Sequence, residues 1–101
     1  MYNRNEIIEE NNLTYVDGIS AGDAYNWAEI EVYYSKEKRR YFWLSGTGCS
    51  CSSLWEEVRS IEDLCNGSRK NAADALRAFV ADNKENGYGD ISFATSKLLG
   101  N

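Results

Sequence analysis

The pattern of apolar and polar positions changes its period once along the chain. Between Trp27 and Tyr34 apolar residues alternate with positions that include Glu29 and Glu31, which is the two-residue period of a strand with one buried face. An aromatic-rich segment follows at 40–45. Residues 35–38 between the two segments are polar, so the pattern predicts an antiparallel hairpin over about residues 27–45.

A helical period replaces the strand period in the second half of the chain. Ser68 can cap a helix, and apolar residues then recur at helical spacing from Ala72 to Val80. This spacing predicts a helix over about residues 69–83. Its apolar stripe needs a partner, and the preceding sheet supplies one. The fold class predicted is therefore α+β, with an antiparallel sheet of about three to four strands packed by this helix.

Two segments leave alternatives open. Ile7-Ile8 and the segment 13–16 add one or two strands to the sheet, although residues 6–10 fit one helical turn equally well. Asp90 can cap a short C-terminal helix, and a terminal strand is the competing interpretation. The helix would carry Ile91, Ala94, Thr95 and Leu98 on one side, whereas the strand would use Ile91 and Phe93.

Composition narrows the class of protein. With 101 residues and a net charge of −5, the chain is expected to form one acidic, soluble domain over residues 1–101. Its apolar stretches are too short to cross a bilayer, and the start lacks the pattern of a secretory signal, so a cytoplasmic location is expected. There is no histidine, the commonest general base and metal ligand. We therefore expect no enzymatic activity and no cofactor.

A run of small residues, Gly46 to Ser53, contains two of the three cysteines and predicts a compact loop directly after a strand. Three interpretations of Cys49, Cys51 and Cys65 stay open. The first is a zinc site completed by a carboxylate such as Asp63, and the second is a disulfide from Cys65 to one of the other two. The third, which we prefer, is that small buried thiols pack a tight turn. Without histidine, a catalytic cysteine would need activation by a cation or a helix N-terminus.

The hairpin combines aromatic and basic residues. Four basic residues fall at its turn, and four aromatic residues are predicted to share one of its faces. Such a face can be core, can bind a protein, or can bind single-stranded nucleic acid by stacking and phosphate contacts. The acidic total makes direct binding to nucleic acid the least favoured of these. The candidate partner-binding residues are Trp27, Tyr33, Lys36, Lys38, Arg39, Arg40, Tyr41 and Trp43.

The order of features from Trp43 to Phe79 resembles a family of small bacteriophage and prophage proteins. An aromatic strand ends in Trp43, a Gly48-Cys49-Ser50-Cys51 turn follows, and a closing helix comes after the segments Leu54-Trp55-Glu56 and Asp63-Leu64. The resemblance covers about a third of the chain and brings no activity with it. It implies a phage or prophage product, made in the cytoplasm of a bacterial host, that acts by binding a host protein.

The sequence therefore leads to two hypotheses of function. The first is a non-enzymatic, phage-type binding protein, such as an inhibitor of a host defence nuclease of the CRISPR kind, that acts by protein–protein contact. An acidic inhibitor would occupy the cationic nucleic-acid channel of such a target. The second is a small metal-binding or nucleic-acid-binding accessory domain built around Cys49, Cys51 and Cys65. The pattern leaves the oligomeric state open.

Overall fold

The protein is an α+β fold in a computed structural model that describes residues 4–22 and 25–85. Four strands form one antiparallel sheet, and two α-helices and a 3₁₀ turn accompany it. In chain order the elements are α1 (Arg4–Glu10), β1 (Leu13–Gly22), β2 (Asn26–Ser35), β3 (Arg40–Cys49), the 3₁₀ turn (Ile61–Asp63), β4 (Cys65–Gly67) and α2 (Arg69–Glu85). The fold class predicted from the sequence is confirmed.

The sheet is a meander in the order β1-β2-β3-β4, with β2 and β3 as its central hairpin. Ser35 pairs with Arg40, so residues 36–39 form the turn. The Arg39 amide donates to the Ser35 carbonyl at 2.9 Å, and the Lys38 amide donates to the Ser35 hydroxyl at 3.1 Å. Arg39 has a φ of 54°, the left-handed conformation that closes the turn. The predicted hairpin is confirmed with nearly the predicted boundaries.

One face of the sheet, the front face, packs against α1 and the segment between β3 and β4. Tyr33, Phe42 and Leu44 of the sheet contribute to this core, with Ile7 from α1 and Trp55 from the connecting segment. The pairing register explains why these three sheet residues share the front face, since Tyr33 lies opposite Phe42. Because side chains alternate along a strand, every second residue of β2 and β3 faces this layer.

The opposite face, the back face, packs against α2. Ile30 and Val32 of β2 are almost wholly buried there, and Leu76 and Phe79 of α2 cover them. Ser68 caps α2 as predicted, since the Asn71 amide donates to the Ser68 hydroxyl at 3.2 Å. The predicted helix over about residues 69–83 is confirmed. The sheet is thus buried on both faces, rather than on the one face that the strand pattern indicated.

Several local predictions differ from the structure. Residues 6–10 belong to a helix and not to a strand, whereas Leu13 does begin a strand, as predicted. The run of small residues begins inside β3, which continues to Cys49 instead of ending before Gly46. An added Cβ on Gly48 would lie 2.6 Å from the Trp27 ring, so the close approach of this ring explains a glycine within a strand. The predicted C-terminal element lies outside the described residues.

Candidate functional site

The hairpin distributes its aromatic residues over both faces of the sheet, which corrects the prediction of one shared aromatic face. Trp27 and Tyr33 lie on the front face, because Tyr33 pairs with Phe42. Tyr41 and Trp43 lie on the back face, half-buried against the core under α2. The four candidate aromatic residues therefore do not form one continuous surface on this hairpin.

Tyr33 is a core residue with a fully engaged hydroxyl group. It is 1% exposed, its hydroxyl donates to Glu31 Oε1 at 2.8 Å, and it accepts from Arg4 Nη2 at 3.0 Å. Burial and the hydrogen bond to Glu31 raise the pKa of Tyr33 well above its ordinary value. Tyr33 thus fixes the front core and is not available to a partner.

Trp55 completes this part-buried network, although no pattern in the sequence indicated a role for it. Its indole Nε1 donates to the same Glu31 Oε1 at 2.8 Å, and the side chain is 1% exposed. The Arg4 guanidinium carbon lies 5.8 Å from the centroid of the Trp55 ring, and Arg4 Nε lies 3.8 Å from Glu31 Oε1. A buried tryptophan needs a hydrogen-bond acceptor, and Glu31 of β2 supplies it.

Trp27 stabilises the end of β3 through hydrogen bonds of its indole group and does not present a free aromatic surface. Its indole Nε1 donates to the Cys49 carbonyl at 2.8 Å and to the Ser52 carbonyl at 3.2 Å. The Ser52 amide also donates to the Cys49 carbonyl at 3.1 Å, which closes a turn over residues 49–52. The side chain of Trp27 therefore holds the cysteine turn against the sheet.

The hairpin turn presents four basic side chains to solvent, and we call this group the basic turn. All four are exposed, and none forms an ion pair with another residue in the part of the chain that the structure describes. Arg40 Nη1 does donate a hydrogen bond to Asn66 Oδ1 on β4. The basic turn consists of Lys36, Lys38, Arg39 and Arg40.

An open cavity of about 280 Å³ adjoins the basic turn. Lys38 and Arg40 line it from one side, and Phe42 and Ile61 supply apolar surface. Glu62 and Asn66 complete the lining. This end of the molecule therefore combines exposed positive charge with a small apolar depression, an arrangement suited to an acidic segment that carries one apolar side chain.

Acidic side chains are exposed on α1, at Glu6, Glu9 and Glu10. Asp17, which comes soon after them in the sequence, is fully buried, and its Oδ1 accepts from the Gly18 amide at 2.9 Å. Asp17 follows a β-bulge in β1, where the register shifts between residues 15 and 17. The acidic surface is thus limited to the helix in this region.

The three cysteines do not form one cluster. Cys65 of β4 pairs with Trp43 of β3, whereas Cys49 is the last residue of β3. Given the rise per residue of a β-strand, Cys49 lies roughly 20 Å further along β3 than Trp43. Within residues 4–22 and 25–85, no three potential ligands among Cys, Asp and Glu lie close enough to hold a metal ion. All three thiols are exposed, which corrects the prediction of small buried thiols packing the turn.

Cys49 and Cys51 do interact with each other. A hydrogen bond from the Cys51 thiol lowers the pKa of Cys49 below its ordinary value. The same hydrogen bond, together with the charge on Cys49, raises the pKa of Cys51. The two thiols are therefore unequal, and Cys49 is the one that ionises first.

The molecule is a small α+β domain in which the sheet packs against a helix on each face. The basic turn lies at one end of β3, and Cys49 and Cys51 lie at the other. A fold of this kind does not by itself specify an activity. The chain belongs to the family described as Domain of unknown function (DUF7574), whose family model matches residues 2–98. Comparison with curated proteins and with solved structures found no match. The phage origin inferred from the resemblance stays a prediction. No helix in the described part of the chain has the length and apolar character needed to cross a membrane.

Proposed function

We propose that the protein is a non-enzymatic binding protein that contacts an acidic segment of a partner protein through its basic turn. The observation that carries this proposal is the set of four exposed cations, without an ion pair to any residue that the structure describes, beside the cavity lined by Phe42 and Ile61. Arginine is among the residue types that dominate binding energy at protein interfaces, and the half-buried Ile61 gives a partner apolar surface to cover.

Charge distribution supports a protein partner and a defined orientation of binding. The whole chain carries a net charge of −5, so an acidic partner is repelled by most of its surface. Approach towards the basic turn brings opposite charges together, which speeds association and favours one orientation of the complex. The rigid hairpin, held on both faces by packed layers, requires little ordering when the partner binds.

A second candidate is the inhibitor of a host defence nuclease that the phage resemblance implied. The observation that favours it is the exposure of Glu6, Glu9 and Glu10 on α1, next to one another on a short helix. These carboxylates would face the cationic nucleic-acid channel of the target. The two candidates place the contact on different surfaces of the same protein, so charge reversal separates them.

The first test uses a random peptide library displayed against the purified protein. We expect the recovered peptides to carry Asp or Glu beside one aliphatic or aromatic residue, and their affinity to fall as salt rises. The variant in which all four residues of the basic turn are changed to Glu should lose this binding by about 100-fold or more, since each rim charge contributes up to ~1 kcal/mol.

The matched control changes Glu6, Glu9 and Glu10 to Lys. All the changed side chains in both variants are exposed, so each substitution should alter the free energy of unfolding by no more than about 0.5 kcal/mol. The control should keep its peptide binding. Binding that survives in the basic-turn variant, or that disappears only in the α1 variant, would refute the proposed contact and favour the acidic surface.

A further inference from the structure

We propose that Cys49 and Cys51 form a redox-active dithiol that exchanges with low-molecular-weight disulfides such as oxidised glutathione. This activity is independent of partner binding by the basic turn, because the two sites lie at opposite ends of β3. The inference depends on the exposure of the two thiols, on their spacing in the chain and on the hydrogen bonds that hold the turn.

Geometry permits the two thiols to join. Cys49 and Cys51 stand one residue apart in a turn closed by the hydrogen bond from the Ser52 amide to the Cys49 carbonyl. Residues two apart in such a turn have Cα atoms about 5–6 Å apart, within the range that a disulfide requires. Both side chains are exposed, so a small disulfide can approach either sulfur.

The turn is held in place from the sheet. Trp27 donates from its indole to the carbonyls of Cys49 and Ser52, the first and last residues of the turn. Gly48 leaves room for the indole ring, since a Cβ there would lie 2.6 Å from the ring and 2.3 Å from Ser52 Oγ. The dithiol therefore sits on an ordered turn, which favours closure of the pair over reaction with separate molecules.

The two thiols differ in pKa, and this difference sets the order in which they react. The Cys49 thiolate attacks one sulfur of the external disulfide, its S–S bond breaks, and the leaving thiolate takes a proton from water. Cys51 then loses its proton and attacks Cys49 Sγ, which releases the second small thiol. The protein dithiol loses two electrons and two protons, and the external disulfide is reduced to two thiols. The lowered pKa of Cys49 supports its role as the attacking group.

The experiment incubates the reduced protein with oxidised glutathione, quenches with acid, and identifies the products by mass spectrometry and peptide mapping. The wild type should form an intramolecular disulfide between Cys49 and Cys51. Cys51→Ser should react at a similar first rate but stop as a glutathione adduct on Cys49. Cys49→Ser should likewise stop as a glutathione adduct, on Cys51, because no second thiol of the pair remains to displace the glutathione.

Two further variants complete the test. Cys65→Ser is the matched control, an exposed cysteine remote from the pair, and it should behave as the wild type. Trp27→Phe keeps an aromatic ring but lacks the indole N–H, so it should close the disulfide several-fold more slowly after the first adduct forms. A disulfide that involves Cys65, adducts distributed equally over the three cysteines, or a wild type that stops at the adduct stage would overturn the proposal.

Discussion

Trp55→Ala is expected to lower the free energy of unfolding by about 3–5 kcal/mol, as measured by urea denaturation. Trp55 is 1% exposed and packs edge-on against Tyr33, with ring centroids 5.9 Å apart. Its removal leaves a cavity under the sheet and takes away a hydrogen bond to Glu31. A small domain has roughly 5–15 kcal/mol of stability, so this single change should approach the limit of folding.

Two control variants show which part of Trp55 matters. Trp55→Phe keeps most of the packing but removes the indole N–H, so we expect a smaller loss of about 1–3 kcal/mol. Glu56→Ala changes the exposed neighbour and should stay within about 0.5 kcal/mol of the wild type. If Trp55→Ala unfolded at the same urea concentration as Glu56→Ala, the front core would not contain Trp55.

Leu76→Ala should cost about 2–5 kcal/mol, because Leu76 is fully buried between α2 and the back face. Arg77→Ala is the control on the same helix. Its side chain is 60% exposed and pairs with Asp74 at 2.9 Å, an exposed ion pair worth at most ~0.5 kcal/mol. Large losses from both Trp55→Ala and Leu76→Ala are expected only if both faces of the sheet are buried. Indifference to Leu76→Ala would contradict the packing of α2.

The elements with a clear period were predictable from the sequence, whereas the distribution of residues over the two faces was not. The hairpin and α2 have strong local patterns and a turn or a cap at their ends. The face of the sheet on which each aromatic residue lies depends on the register between β2 and β3. The four-residue turn sets this register so that even-numbered residues of β2 pair with odd-numbered residues of β3. Tyr33 therefore lies beside Phe42, although Tyr41 and Trp43 look equally suitable in the sequence.

Contacts between distant segments explain the other differences. Gly46 and Gly48 have the composition of a loop, but the ring of Trp27 lies over both and lets the strand continue. Trp55 belongs to a segment with no regular period, and only its partners Glu31 and Tyr33 show that it is core. The basic turn was the part of the candidate site that the sequence could indicate, because charged residues at a hairpin turn are exposed whichever faces the strands bury.

The central claim is that the basic turn contacts a partner protein, and site-specific photo-crosslinking in cells tests it most directly. A photo-reactive amino acid is placed at Lys38 in one variant and at Glu6 on α1 in another, since both positions are exposed. We predict a covalent adduct with a second protein from position 38, and its loss when Lys36, Arg39 and Arg40 are also changed to Glu. An adduct from position 6 and none from position 38 would contradict the claim and place the contact on the acidic helix.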